Sequence, residues 1–85
     1  MYNQQQKEKI YKEIFETACE CRRRAEDLSL SGAERLSAHM NSKNLFGWLN
    51  QIDSADAEEE NRMYEGAEIC LKLVRRGDQP TTSVE

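Results

Sequence analysis

At 85 residues, with a third of them charged and a formal net charge of −4, the chain is sized for one domain with a small core. Its apolar runs are far shorter than the roughly 20 residues that cross a bilayer, which excludes a transmembrane helix. The net acidity opposes broad attraction to nucleic acid or anionic lipid and leaves room only for a local basic patch.

The only proline, Pro80, sits near the C-terminal end, and the body is rich in the helix formers Glu, Lys, Arg, Gln, Ala and Leu. An all-α fold follows. At about 100° per residue, Ile10, Tyr11, Ile14, Ala18, Cys21, Ala25 and Leu28 fall within one arc, which predicts a first helix near Asn3 to Leu28 with this stripe against the core. The stretch from Leu28 to Gly32 then turns the chain. Ser31 followed three residues later by Glu34 fits a capping box, so a second helix starts near Gly32 or Ala33. Its apolar pattern weakens through Asn41-Ser42-Lys43-Asn44, where a kink or restart is expected, and strengthens at Leu45, Phe46, Trp48, Leu49 and Ile52.

Asp53 and Ser54 resemble a cap, and the acids Asp56, Glu58, Glu59 and Glu60 suit the positive end of a helix dipole. Lys72, Arg75 and Arg76 suit the negative end before Gly77. These signals predict a third helix near Ala55 to Arg76 and a small up-down-up three-helix bundle. The alternative is a two-helix hairpin with a long second helix, because Leu45, Leu49, Ile52, Asp56, Glu60, Met63, Ala67, Cys70 and Val74 also fit one uninterrupted helix. Residues 1–77 are read as the single helical domain and 78–85 as a disordered tail, since the latter has no apolar periodicity.

Cys19, Cys21, His39 and Cys70 are residue types that bind zinc, but residues two apart on a helix point about 200° apart, so Cys19 and Cys21 do not converge on one ion. Neither a metal nor any other cofactor is expected. The odd cysteine count, with an N-terminus that lacks the basic-then-apolar pattern of a secretory leader, points to a reducing cytoplasm. His39 has no partner at motif spacing and Cys19 no evident base, so catalytic residues are not expected either.

Two features point to binding. Leu45, Phe46, Trp48, Leu49 and Ile52 cover a wider arc than one packing seam needs, and Ile69 with Leu73 falls opposite the inward residues Tyr64, Ala67, Leu71 and Val74. Phe46, Trp48, Ile69 and Leu73 are therefore candidates for a protein interface. In an up-down-up bundle, Arg22, Arg23 and Arg24 also share one end with Arg75 and Arg76, a basic pole able to take an anion or an acidic partner. The leading expectation is a non-enzymatic interaction protein of the small bacterial or phage accessory kind: an adaptor, inhibitor or chaperone-like protein. It would form a homo-oligomer, preferably a dimer, and meet a heterologous protein partner, without a membrane. The alternative is an oligomeric anion-binding protein whose arginine pole holds a nucleotide or nucleic acid.

Overall fold

The computed structural model describes residues 1–77, so the expected tail at 78–85 lies outside the described residues. Three helices account for most of them: α1 (Gln4–Ala25), α2 (Gly32–Ser54) and α3 (Glu60–Arg75).

Each boundary has a local cause. Asn3 opens α1 with a reciprocal cap in which its Oδ1 accepts from the Gln6 amide at 2.8 Å and Gln6 Oε1 accepts from the Asn3 amide at 2.9 Å. The helix stops at Ala25, whose carbonyl accepts from Arg35 Nε at 3.2 Å. Asp27 then folds the turn by accepting from both the Ser29 amide and the Ser29 hydroxyl. Leu28 is 82% exposed on that turn, which corrects its expected place in the core stripe. Helical periodicity cannot be extended past a residue whose chain has already turned.

The expected box at Ser31 and Glu34 is present, with both bonds at 3.1 Å. The expected restart at Asn41–Asn44 is absent: α2 runs through it as one helix, and Asn41 and Ser42 are buried within the bundle. At its far end Ser54 donates to the Asn50 carbonyl, so this residue finishes α2 rather than capping α3. Ala55 leaves the helix in an extended conformation. Asp56 then takes up the amides of Glu58 and Glu59 on its side chain and that of Glu60 on its carbonyl, so α3 begins at Glu60 and not at Ala55. This break rules out the long second helix of the hairpin alternative.

Cross-links fix the directions. The Arg35–Ala25 bond joins the end of α1 to the start of α2, and the Tyr11 hydroxyl donates to Asp53 at the end of α2, so these two helices are antiparallel. Lys7 pairs with Glu60 at 2.6 Å, and Arg75 reaches Glu13 at 3.9 Å, so α3 runs with α1. The result is the up-down-up bundle. Its core joins Ile10, Ile14, Ala18 and Cys21 of α1 to Leu45, Leu49 and Ile52 of α2 and Tyr64, Ala67, Cys70 and Leu71 of α3. Tyr2 closes the N-terminal end, with its ring 6.0 Å from that of Tyr64 and its hydroxyl donating to Glu68 at 2.7 Å.

Candidate interaction surfaces and the arginine pole

Phe46 and Trp48 lie two residues apart on α2 and so diverge by about 200°. Phe46 turns to α1, where its ring meets Phe15 edge-on at 6.2 Å between centroids. Trp48 turns to α3. There it lies over Gly66, where an added Cβ would fall 2.5 Å from the indole ring, and it hydrogen-bonds to Cys70. Both aromatics are half-buried within the chain, each against a different neighbour.

The first face is the outer groove between α1 and α2. Phe15 remains 48% exposed beside Phe46, and Leu36 is 60% exposed further along α2. A cleft of about 640 Å³ runs from Phe46 to Leu36, rimmed by Arg22, Arg35, Lys43 and His39, with Glu26 its only acid. Neither Phe15 nor Leu36 was among the candidates read from sequence. The signal for Phe15 was its position about 100° from Ile14, which places an aromatic at the edge of the α1 stripe rather than within it.

The second face lies beside α3. Ile69 is 54% exposed, whereas Leu73 is half-buried. Helical steps from Gly66 put both on the flank that receives Trp48, so Trp48, Ile69 and Leu73 belong to this side while Phe46 belongs to the other. The four candidate interface residues do not form one patch.

The five arginines also divide. Arg22 enters the first groove, Arg23 pairs with Glu20 on the exposed side of α1, and Arg24 joins Arg75 in a separate cleft of about 460 Å³. Arg76 closes α3, its amide donating to the Lys72 carbonyl while the Gly77 amide donates to that of Val74. Consecutive residues on a helix fan by about 100°, so one basic end of the bundle becomes several basic directions. The cleft of Arg24 and Arg75 reaches inward to Thr17, Cys21, Ala38 and Asn41.

Cys21 and Cys70 are buried between helices, and burial pushes both thiols above their ordinary range; for Cys70 the Trp48 hydrogen bond works in the opposite direction. Cys19 is exposed. Among the described residues, no group of three or more His, Cys, Asp or Glu side chains is placed to hold a metal ion. No helix among them is long and apolar enough to cross a membrane.

No family model matches this chain, and neither a curated protein nor a solved structure resembles it significantly. An apolar floor with a cationic rim favours an amphipathic segment of opposite charge, because burial of the rings supplies affinity and the rim selects and orients.

Proposed function

We propose that this protein is a non-enzymatic interaction module that docks an acidic, amphipathic segment of a partner protein in the groove between α1 and α2. The observation that carries this reading is the exposed ring of Phe15 against Phe46, on a groove whose rim holds Arg22, Arg35 and Lys43 in a chain of net charge −4. Local charge opposite in sign to the whole molecule favours a particular approach over general stickiness. A helix laid in such a groove uses apolar side chains at i, i+3, i+4 and i+7 and leaves its acids to meet the rim. An adaptor, inhibitor or chaperone-like accessory protein works in this way. Free thiols at Cys19, Cys21 and Cys70 suit a reducing compartment such as the cytoplasm.

The test uses a fluorescein-labelled model helix of about five turns, with Leu and Phe on one face and Glu on the other, titrated by fluorescence anisotropy. Binding that weakens with salt and falls at least tenfold in Phe15→Ser plus Leu36→Ser supports the groove. Equal affinity of wild type and variant contradicts it.

A second reading, self-association through the α3 side, is favoured by the exposure of Ile69 beside Trp48 and Leu73. An isologous dimer would bury this flank against its copy and bring two basic ends into one assembly.

A further inference from the structure

Around the axis of α3, counted from Ile69, Leu73 and Gly66 lie about 40° and 60° toward Trp48, whereas Glu65 and Lys72 lie about 40° and 60° to the other side. Ile69 is 54% exposed, Glu65 and Lys72 are exposed, and Leu73 and Trp48 are half-buried. Among the described residues, neither Glu65 nor Lys72 is ion-paired within the chain. The helix is also charged oppositely at its two ends. Glu58, Glu59 and Glu60 stand at its start, and Lys72, Arg75 and Arg76 at its finish. Only Glu60, with Lys7, and Arg75, with Glu13, are engaged by α1.

An apolar centre flanked by opposite charges is complementary to itself when reversed. We propose that this flank pairs with α3 of a second copy in antiparallel, about a twofold axis at Ile69, with Glu65 of each chain on Lys72 of the other. The proposal rests on the self-association reading of the same flank and gives it a geometry. In an antiparallel pair the charged flanks of both helices fall on one side of the seam and the apolar flanks on the other. Glu65 precedes Ile69 by one helical turn and Lys72 follows it by one, so reversal brings them level at two places in the dimer. On the apolar side, Leu73 comes level with the copy's Gly66, beside the copy's Trp48 ring. The acidic start of each helix meets the basic finish of the other, and the helix dipoles oppose. A parallel pair would instead set Glu65 level with Glu65 and Lys72 level with Lys72, so the same residues select against it. Arg62 comes level with the copy's Arg76 at each end of the seam. Solvent screens that repulsion, and Glu58 and Glu59 stand one turn from Arg62. The α1–α2 groove lies on the other side of α2, so the dimer keeps two grooves open.

The experiment is sedimentation equilibrium of the full chain at low salt beside Glu65→Lys, Lys72→Glu and the two changes combined in one chain. The wild type is expected to dimerise at micromolar concentration, and each single reversal to weaken the dimer about tenfold or more by facing like charges. The combined chain should recover it, with circular dichroism showing that all variants remain helical. A mixture of the two single variants, one isotopically labelled, should pair as a heterodimer in the native mass spectrum, since every contact is then Lys against Glu. A wild type that stays monomeric would overturn self-association and its geometry together. A wild-type dimer that both single reversals leave at full strength, or a mixture that pairs no better than either variant alone, would overturn the antiparallel pairing and leave self-association standing.

Discussion

Gly66 and Trp48 show how much one residue decides. Alanine at position 66 would improve intrinsic helix propensity by about 1 kcal/mol, but its Cβ would meet the indole ring at 2.5 Å, and overpacking costs about 1–3 kcal/mol. Overpacking wins. Gly66→Ala is therefore expected to lower stability modestly and to push the ring toward water, seen as a red shift in the emission of the single tryptophan. Unchanged emission would mean that the ring does not rest on Gly66. Asn41 gives the opposite sign: an unpaired buried amide group costs about 1–3 kcal/mol, so Asn41→Leu should raise stability by about 1 kcal/mol in urea denaturation. A fall of similar size would place a bonded partner on Asn41 in solution. Neither role was legible in the sequence. A glycine inside a helix carries no mark of the ring above it, and the weakened apolar pattern at Asn41-Ser42-Lys43-Asn44 carries no mark that Asn41 and Ser42 are buried in a continuous helix.

At the scale of the element, the sequence was most informative where a local rule fixes geometry. The Ser31–Glu34 box placed the start of α2, and the 3.6-residue stripe found Ile10, Ile14, Ala18 and Cys21. It was least informative at Asp53 to Glu60, where two capping residues stand close together and Asp56, rather than Ser54, gathers the amides. Ser31→Ala should cost about 1 kcal/mol, measured as a lower urea midpoint. The turn before α2 also carries an acid dependence. Hydrogen bonds from Ser29 hold the Asp27 carboxyl below its usual range, and those from Ser31 do the same for Glu34. Because both folded values are depressed, their contribution is present above about pH 4 and is lost as the pH falls through them. Glu34→Gln should flatten that acid loss, because it removes the carboxylate that accepts from the Ser31 amide, and an unchanged acid titration would remove Glu34 from it. At the other extreme, the hydrogen bond to Glu68, with burial behind it, pushes the Tyr2 hydroxyl up to about 12. A raised folded value gives stability that is present below about pH 10 and lost as the pH rises toward 12, so the N-terminal latch should open in alkali. Ultraviolet titration of wild type against Tyr2→Phe checks this by the loss of the late-ionising tyrosine.

At the scale of the whole molecule, the sequence foresaw a surplus of apolar surface but not its distribution. Phe46 and Trp48 both find neighbours inside the chain, and the surplus passes to Phe15, Leu36 and Ile69, whose exposure depends on how the helices meet. The arginines followed the same logic: the up-down-up order gathers them at one end, while the helical fan of α1 keeps them from converging. Sedimentation of the wild type at micromolar concentration, beside Ile69→Glu plus Leu73→Glu, tests the self-association reading. A dimer that the double variant shifts to monomer would support it, and a wild-type monomer would contradict it. The central claim, that this protein acts by docking another chain in the α1–α2 groove, is met most directly by native mass spectrometry of the protein purified from its own host. The account predicts a stoichiometric complex with an acidic partner, lost in Phe15→Ser plus Leu36→Ser and kept in Ile69→Glu plus Leu73→Glu. A wild-type chain that emerges alone, or a complex that survives the groove variant, would contradict it.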